Sequence, residues 1–412
     1  MTLWEPDRAA GLVRLADFAP RMGRSYSDHR NTDLGPGRND QVSRLSPWIR
    51  HRLLTEDEVV RAALDAHGPR GADKFIQEVI WRTYWKGWLE MRPEVWTRFE
   101  AERARLFASG EAGSAAVQAA EQGRTGIEGF DDWARELVQT GWLHNHARMW
   151  FASIWIFTLG LPWVLGADFF MRHLMDGDPA SNTLSWRWVA GLQTPGRTYL
   201  ATGDNIARFT NGRFQPKGLA SVAVPVSDAP SPSPRSLLPA VARTPEGPHL
   251  LLITVEDMTP EDSVAPRDIC GVVSLDAPER DALGTPARQF RDGAMADTRR
   301  RAEVSFGHPV HRLGTVFEPG ATAPPMGASL SAAALIEAAR AVGAQGIVTP
   351  FVPCGPTALL LVSVQSALQA AGLDLVMVRR PWDSTLWPLA DRGFFPFRER
   401  SGAALRSLGL PV

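Results

Sequence analysis

The chain has 412 residues, is 44% hydrophobic and 22% charged, and carries a net charge of -1. This length allows two or three domains with a full core and no covalent staples, while the charge balance excludes a globally basic nucleic-acid binder. The two cysteines, Cys270 and Cys354, are too few for a disulfide framework or a Cys-rich metal or iron–sulfur site. No metal is therefore expected, and a reducing, cytoplasmic setting fits.

Met1 to Asp7 is acidic and lacks an apolar signal core, so no targeting segment is expected. Residues 1–220 read as a helical domain. Thr55 stands as an N-cap before Glu56, Asp57 and Glu58, acids that suit a first helical turn. Phe75, Val79, Ile80, Tyr84 and Leu89 recur at helical spacing over 72–91, and Phe130, Trp133, Leu137 and Val138 continue the pattern before Gly141. Met149 to Ala167 is an uncharged run of 19 residues, long enough to span a membrane. Gly160 and Pro162 split it into pieces too short to cross, so a buried helix ending at that break is expected, with no membrane association. Residues 221–248 are rich in Pro, Ser and Ala and read as an extended linker. Residues 249–412 then alternate apolar strands (249–255, 270–275, 346–350, 373–378) with helices (331–342, 357–371). That alternation predicts a Rossmann-like α/β domain with a mostly parallel sheet. The expected fold class is an all-α N-terminal domain followed by this α/β domain. Neither G-x-G-x-x-G nor G-x-x-x-x-G-K-[ST] occurs, so a standard dinucleotide or P-loop fingerprint is excluded.

Four segments of the helical half carry groups with chemical potential. Ser43-Arg44-Leu45-Ser46-Pro47-Trp48-Ile49-Arg50 sets two hydroxyls and free backbone N–H groups before a helix start. Such a start can cradle phosphate, and it also serves as an ordinary cap. Glu78, Trp81 and Arg82 share one helix face; on spacing alone, a surface Glu–Arg pair beside a core indole is the plainer reading. In Gly141 to Met149, Asn145 and Met149 face together. His144 and His146 lie two apart, which is not a helical metal pair, and both are expected to be exposed. Asp176-Gly177-Asp178 lacks the later acid that a calcium loop needs, which leaves Asp178 as a helix cap. Tryptophan is used 15 times against three tyrosines, with 13 of the indoles before residue 190. This suits dense packing, base stacking or electron transfer.

Taken in order, these blocks resemble the flavin domain of the DNA photolyase/cryptochrome family over about residues 1–215. The family pattern is an aromatic Tyr, then T-S-x-L-S-P-Y-L, E-x-x-W-R, T-G-W-x-H-N-x-x-R-M, D-G-D-x-A-x-N and W-x-W. Tyr26, Ser43 to Trp48, Glu78-x-x-Trp81-Arg82, Thr140 to Asn145 with Arg148-Met149, Asp176-Gly177-Asp178, Asn182, Trp186 and Trp188 match it. The resemblance implies FAD held by Tyr26, Ser43, Leu45, Ser46, Arg82, Trp142, Asn145, Arg148, Asp176, Asp178 and Asn182. Arg148 is then paired with Asp176, and Asn182 faces flavin N5. A neutral amide there, as in photolyases, suits an anionic reduced flavin better than a carboxylate. Around a lesion the resemblance places Glu78, Trp81, Asn145, Met149 and Trp188, with Trp81 stacked on a flipped pyrimidine dimer and Glu78 stabilising its radical anion. Trp186 and Trp163 relay electrons, and the catalytic set is Glu78, Asn182, Trp186 and Trp163. The Asn145–Met149 pair is similar to enzymes acting on cyclobutane pyrimidine dimers.

The activity so implied is light-dependent repair of these dimers by electron transfer from reduced FAD, with damaged DNA as partner and a monomer as the working unit. The alternative is a cryptochrome-like photoreceptor acting through a partner. Departures from the pattern are Val42 for Thr, Phe75 for Trp and Thr83 for Glu. The outer relay Trp is also missing, since no Trp lies between Trp96 and Trp133; Phe107 or Trp155 is the candidate exit. Family members begin with an α/β antenna domain. Here the α/β pattern comes last, which resembles a circular permutation, and no residues can be assigned to a second, antenna chromophore.

Overall fold

The computed structural model describes residues 4–275, 283–313, 315–317 and 328–412. The helical half comprises α1 (Arg8–Phe18), α2 (Arg24–His29), α3 (Ser46–Arg50), α4 (Glu56–Glu90), α5 (Glu94–Ala108), α6 (Ala115–Glu121), α7 (Phe130–Thr140), α8 (Asn145–Ser153), α9 (Trp163–His173), α10 (Pro179–Val189) and α11 (Gly203–Phe209). Thr55 caps α4, and Glu58 reaches back to the Thr55 N–H and hydroxyl at 2.8 and 2.9 Å. Gly68 at φ 64° followed by Pro69 kinks the helix, because proline lacks the donor that a straight helix needs. The uncharged run becomes α8, a π-helical turn over Ile154–Thr158, a break at Gly160 to Pro162, and α9. Among the described residues no helix is long and apolar enough to cross a membrane. The tryptophan excess is largely core: Trp48, Trp96, Trp133, Trp150 and Trp155 are fully buried.

Residues 221–248 carry no helix or longer strand. They lie against both halves, through Arg187–Asp228 at 3.0 Å, Arg92 Nε to the Pro232 carbonyl at 3.1 Å, and a bridge from Val241 to Val378.

The second half contains β1 (His249–Ile253), β2 (Ile269–Leu275), α12 (Thr285–Phe306), β3 (Val310–Leu313), β4 (Thr315–Phe317), β5 (Ala328–Leu330), α13 (Ala332–Ala341), β6 (Gly346–Pro350), α14 (Pro356–Ala370), β7 (Asp374–Val378), α15 (Pro381–Leu386) and α16 (Phe394–Ser407). β3, β2, β1, β6 and β7 form one sheet in that order, every pairing parallel. β4 and β5 form a separate antiparallel pair. The order reverses between β1 and β6, the switch point at which open α/β sheets take ligands. Just beyond β1 stand Glu256 and Asp257, both buried. They receive arginines from the end of α3 and from the start of α15. Arg50 bonds Glu256 at 2.7 and 3.2 Å, and the Thr357 hydroxyl adds 3.1 Å. Arg380 bonds Asp257 at 2.6 and 2.8 Å, while Arg52 reaches Asp383 at 2.7 Å. The sheet's ligand crevice thus serves as a docking face for the helical half. α15 and α16 lie along the C-terminal part of α4. Gly87 permits this, since a Cβ there would come within 2.8 Å of Trp387 Cα.

Candidate flavin site

The turn from α9 into α10 sets the geometry of the site. Asp178 caps α10 by accepting from the Ser181 N–H at 2.7 Å. Its carboxylate also lies 3.6 Å from Lys86 Nζ and 4.0 Å from Arg50 Nε. Asp176 takes a two-point pair from Arg148 of α8 at 3.0 and 2.9 Å, together with a bond to the Ser46 side chain. Arg50 Nε donates to the Gly177 carbonyl at 2.7 Å, which ties the turn to α3. Burial alone would raise both carboxyls. For Asp176 the charge of Arg148, and for Asp178 the charges of Lys86, Arg50 and Arg82, outweigh it and hold both acids below the usual range. The cluster is therefore a buried set of ionised groups drawn from α3, α4, α8 and the α9–α10 turn.

This cluster is short of acceptors. Arg82 Nη1, Lys86 Nζ and the Ser181 hydroxyl are buried without a hydrogen-bond partner. A buried donor left unmatched costs about 1–3 kcal/mol. The diphosphate and hydroxyl-rich chain of FAD offers the acceptors these groups lack, so the residues present fit that cofactor.

The remaining expected cofactor residues divide. Ser43 Oγ accepts from the Leu45 N–H at 3.4 Å and shapes the turn into α3. Tyr26 stands apart from the acids. It is buried edge-on to Phe75 at 5.0 Å and bonded to Arg30, and burial, then the charge of Glu78, pushes its hydroxyl up. Arg30 also pairs with Glu78 at 3.0 Å. The expected surface pair of Glu78 with Arg82 is thus corrected: Glu78 turns to α2, and Arg82 to the buried acids. Trp142 lies under Arg44 (5.8 Å) and Trp4 (6.2 Å). It lines a neighbouring cavity of about 530 Å³ with Arg44, Glu136 and Phe290. Asn182 donates to the Ala167 carbonyl at 2.8 Å.

On α8, Asn145 is exposed and its amide lies 3.9 Å from Met149 Sδ. The expectation of exposed histidines is corrected. His144 is buried, caps α8 through the His146 N–H at 3.2 Å and meets the Arg30 carbonyl at 3.0 Å; His146 stacks on Phe209 at 5.3 Å. No metal-holding group occurs among the described residues.

Trp186 is buried edge-on to Phe170 (5.1 Å) and Trp155 (6.3 Å), and Gly166 leaves it room. Trp163 meets Phe99 at 5.7 Å, and Phe99 meets Trp96 at 5.2 Å. Trp155 is fully buried, so it extends a path from Trp186 without reaching solvent, whereas Phe107 is half-buried beneath Arg103. Trp188 stacks on Tyr199 at 5.7 Å. Trp81 lies face to face with Phe394 of α16, ring centroids 3.4 Å apart and planes 7° apart.

Residues 75–217 match the family model described as the FAD binding domain of DNA photolyase. Over these residues the chain carries the flavin-binding domain of the DNA photolyase family. FAD is the cofactor of this flavin domain. A deoxyribodipyrimidine photo-lyase of Streptomyces griseus is 35% identical over 204 residues, covering 47% of this chain and 44% of the relative. The Escherichia coli K12 protein of the same name is 34% identical over 205 residues, covering 47% and 41%. The chain therefore spans less than half the length of these two relatives. A solved class III photolyase from Agrobacterium tumefaciens aligns with a TM-score of 0.41 and 27% identity, over 50% of this chain and 45% of that one.

Two members of the flavin-domain cluster escape the motif reading. Lys86 lies four residues beyond Arg82 on α4, so helical spacing alone could have found it. Arg50 follows the Ser-Pro-Trp start of α3, and its partners, the Gly177 carbonyl, Asp178 and Glu256, are all remote in sequence.

Proposed function

We propose that this protein repairs cyclobutane pyrimidine dimers in DNA with light, acting as a monomer. The observation that carries the reading is the Asn145–Met149 pair, with Asn145 exposed, on the same helix as the Arg148 that grips Asp176. An exposed amide and a half-buried, polarisable thioether beside the flavin cluster suit a flipped base, which needs hydrogen bonds to its polar edge and soft apolar contact to its face. The names of the curated relatives support the same reaction.

FAD, when bound and reduced, supplies the light-driven electron. The chain's own groups do the rest. Ser43, Leu45, Ser46, Arg82, Arg148, Asp176 and Asp178 hold and orient the cofactor, and Asn182 presents a neutral amide to it. Glu78 offers the dimer a hydrogen bond once Arg30 releases it, Trp188 closes the pocket, and Trp186 and Trp163 lead electrons inward. In this reading the domains are 1–220 and 249–412, joined by 221–248, with the second an antenna-like domain in permuted order.

A cryptochrome-like photoreceptor without repair is the second reading. It is favoured by Phe394, which already covers the face of Trp81 that a base would use. The test is loss of thymine dimers from an oligonucleotide under blue light, using pre-reduced protein and Glu78→Gln. Repair predicts light-dependent loss that falls about tenfold or more in the variant, the worth of one charged hydrogen bond. Full FAD content with no dimer loss would contradict it.

A further inference from the structure

We propose that Phe394 gates the access of a base to the flavin domain by standing in for that base on Trp81. A nucleobase then reaches Trp81 only when the first turn of α16 withdraws. This rests on the stacking of a base on Trp81 that the family resemblance implies.

The 3.4 Å separation of the two rings is the shortest between aromatic centroids among the described residues. A stacked base needs that same plane and spacing. The indole also meets Trp85 at 5.2 Å, inclined by 34°, so little aromatic surface of Trp81 is left for a third ring. The ring is not a loose visitor. Phe394 is buried and edge-on to Tyr84 at 5.5 Å, and Phe397 behind it is fully buried. The approach to α16 is fastened to α4 by polar bonds: the Tyr84 hydroxyl donates to the Arg392 carbonyl at 3.0 Å, and Arg92 donates to the Asp391 carbonyl at 2.6 Å. Further along, Arg398 pairs with Asp73.

The joint before α16 is nonetheless open. A Cβ at Gly393 would meet nothing within 4 Å, so the space beside this joint is unfilled. Its margin carries the exposed ring of Phe395 and the exposed guanidinium of Arg392, groups suited to a base and a phosphate once the turn moves. Glu78 shows the same self-satisfaction, since Arg30 holds it. Both lesion-facing groups of α4 thus begin with intramolecular partners, and binding must exchange one set for the other. An aromatic pair shifts an equilibrium by up to about tenfold, so the apparent affinity for a base falls by that factor.

The test uses the FAD-loaded chain and a single-stranded pentanucleotide with a central 2-aminopurine, whose fluorescence falls on stacking. Phe394→Ala should bind this probe about tenfold more tightly than the native chain and quench it. Adding Trp81→Leu to that variant should abolish the gain. Phe394→Leu keeps the apolar packing without the ring, so a gain there excludes mere unfolding. Equal affinity for the native chain and both Phe394 variants, at full FAD content, overturns the proposal. The same proteins with a thymine-dimer oligonucleotide under blue light separate the two readings. Tighter probe binding without repair by any variant refutes repair and upholds Phe394 as the gate. Repair at an unchanged rate with no gain in probe binding sinks the gate alone.

Discussion

Glu256→Gln tests the charge that joins the two halves. Arg50 and Glu256 are both buried and share two hydrogen bonds, at 2.7 and 3.2 Å, and Thr357 satisfies a further lone pair of the acid. With Gln in place, Arg50 retains the Gly177 carbonyl and the more distant charges of Asp178 and Asp176. Removing one partner of a buried pair strands the other and costs about 3–5 kcal/mol. Replacing both, Arg50→Met with Glu256→Leu, strands no charge and should cost less than the sum of the single changes, with a coupling of about 1–3 kcal/mol. The pH dependence follows from the folded acid. Burial raises Glu256, but Arg50 and then Lys86 outweigh it and hold the carboxyl below its ordinary value. A depressed acid stabilises fully above its unfolded pKa of about 4.3 and loses that contribution as pH falls through the folded value. The gap between native and Glu256→Gln proteins should therefore be widest near neutral pH and shrink in acid. Urea unfolding followed by tryptophan fluorescence at several pH values measures both effects. A variant within about 0.5 kcal/mol of the native chain at neutral pH would refute the reasoning.

Gly166→Ala would place a Cβ 2.3 Å from the Trp186 ring. Such overpacking costs about 1–3 kcal/mol, so an unchanged Tm and photoreduction rate would contradict the packing described. Burial is the first cause lowering His51 to about 3 and His144, His146 and His173 to about 4. These histidines fold neutral, so their stabilisation is complete above the unfolded pKa of about 6.5 and lost as pH falls toward 4. Tm should drop between pH 7.5 and 5, and a flat profile would count against it. Glu136 runs the other way: burial, then Asp33, pushes it up to about 8. Its stabilisation is present below about pH 4.3 and lost as pH rises through 8, so Glu136→Gln should raise Tm relative to the native chain at pH 8.5 and not at pH 4. Equal shifts at both pH values would refute this.

The helical half was legible because its chemistry sits in short blocks. Thr55 with Glu58, the acid turn at Asp176 and Asp178, and the Gly160–Pro162 break each declare themselves locally. The strands β1, β2 and β6 are short, buried apolar runs, β7 is a partly buried but apolar edge run, and all four were read to within one or two residues. β3 escaped because, as an edge strand, its Val310, His311 and Arg312 are only partly buried or exposed. α12 escaped because its arginine-rich face masks the buried stripe of Phe290, Ala294 and Met295. The partners of Trp81, Glu78 and Arg50 come from remote segments, and no local periodicity encodes a contact such as Trp81 with Phe394.

The central claim is that the Asp176–Asp178 cluster is the flavin cradle, and FAD content tests it most directly. Purified protein should carry stoichiometric FAD, and Arg82→Leu, which removes one of the unmatched buried donors, should retain at least about tenfold less while keeping its far-UV circular dichroism, by the worth of one charged hydrogen bond. Full FAD retention in Arg82→Leu, or a native chain that takes up no FAD on reconstitution, would contradict the account.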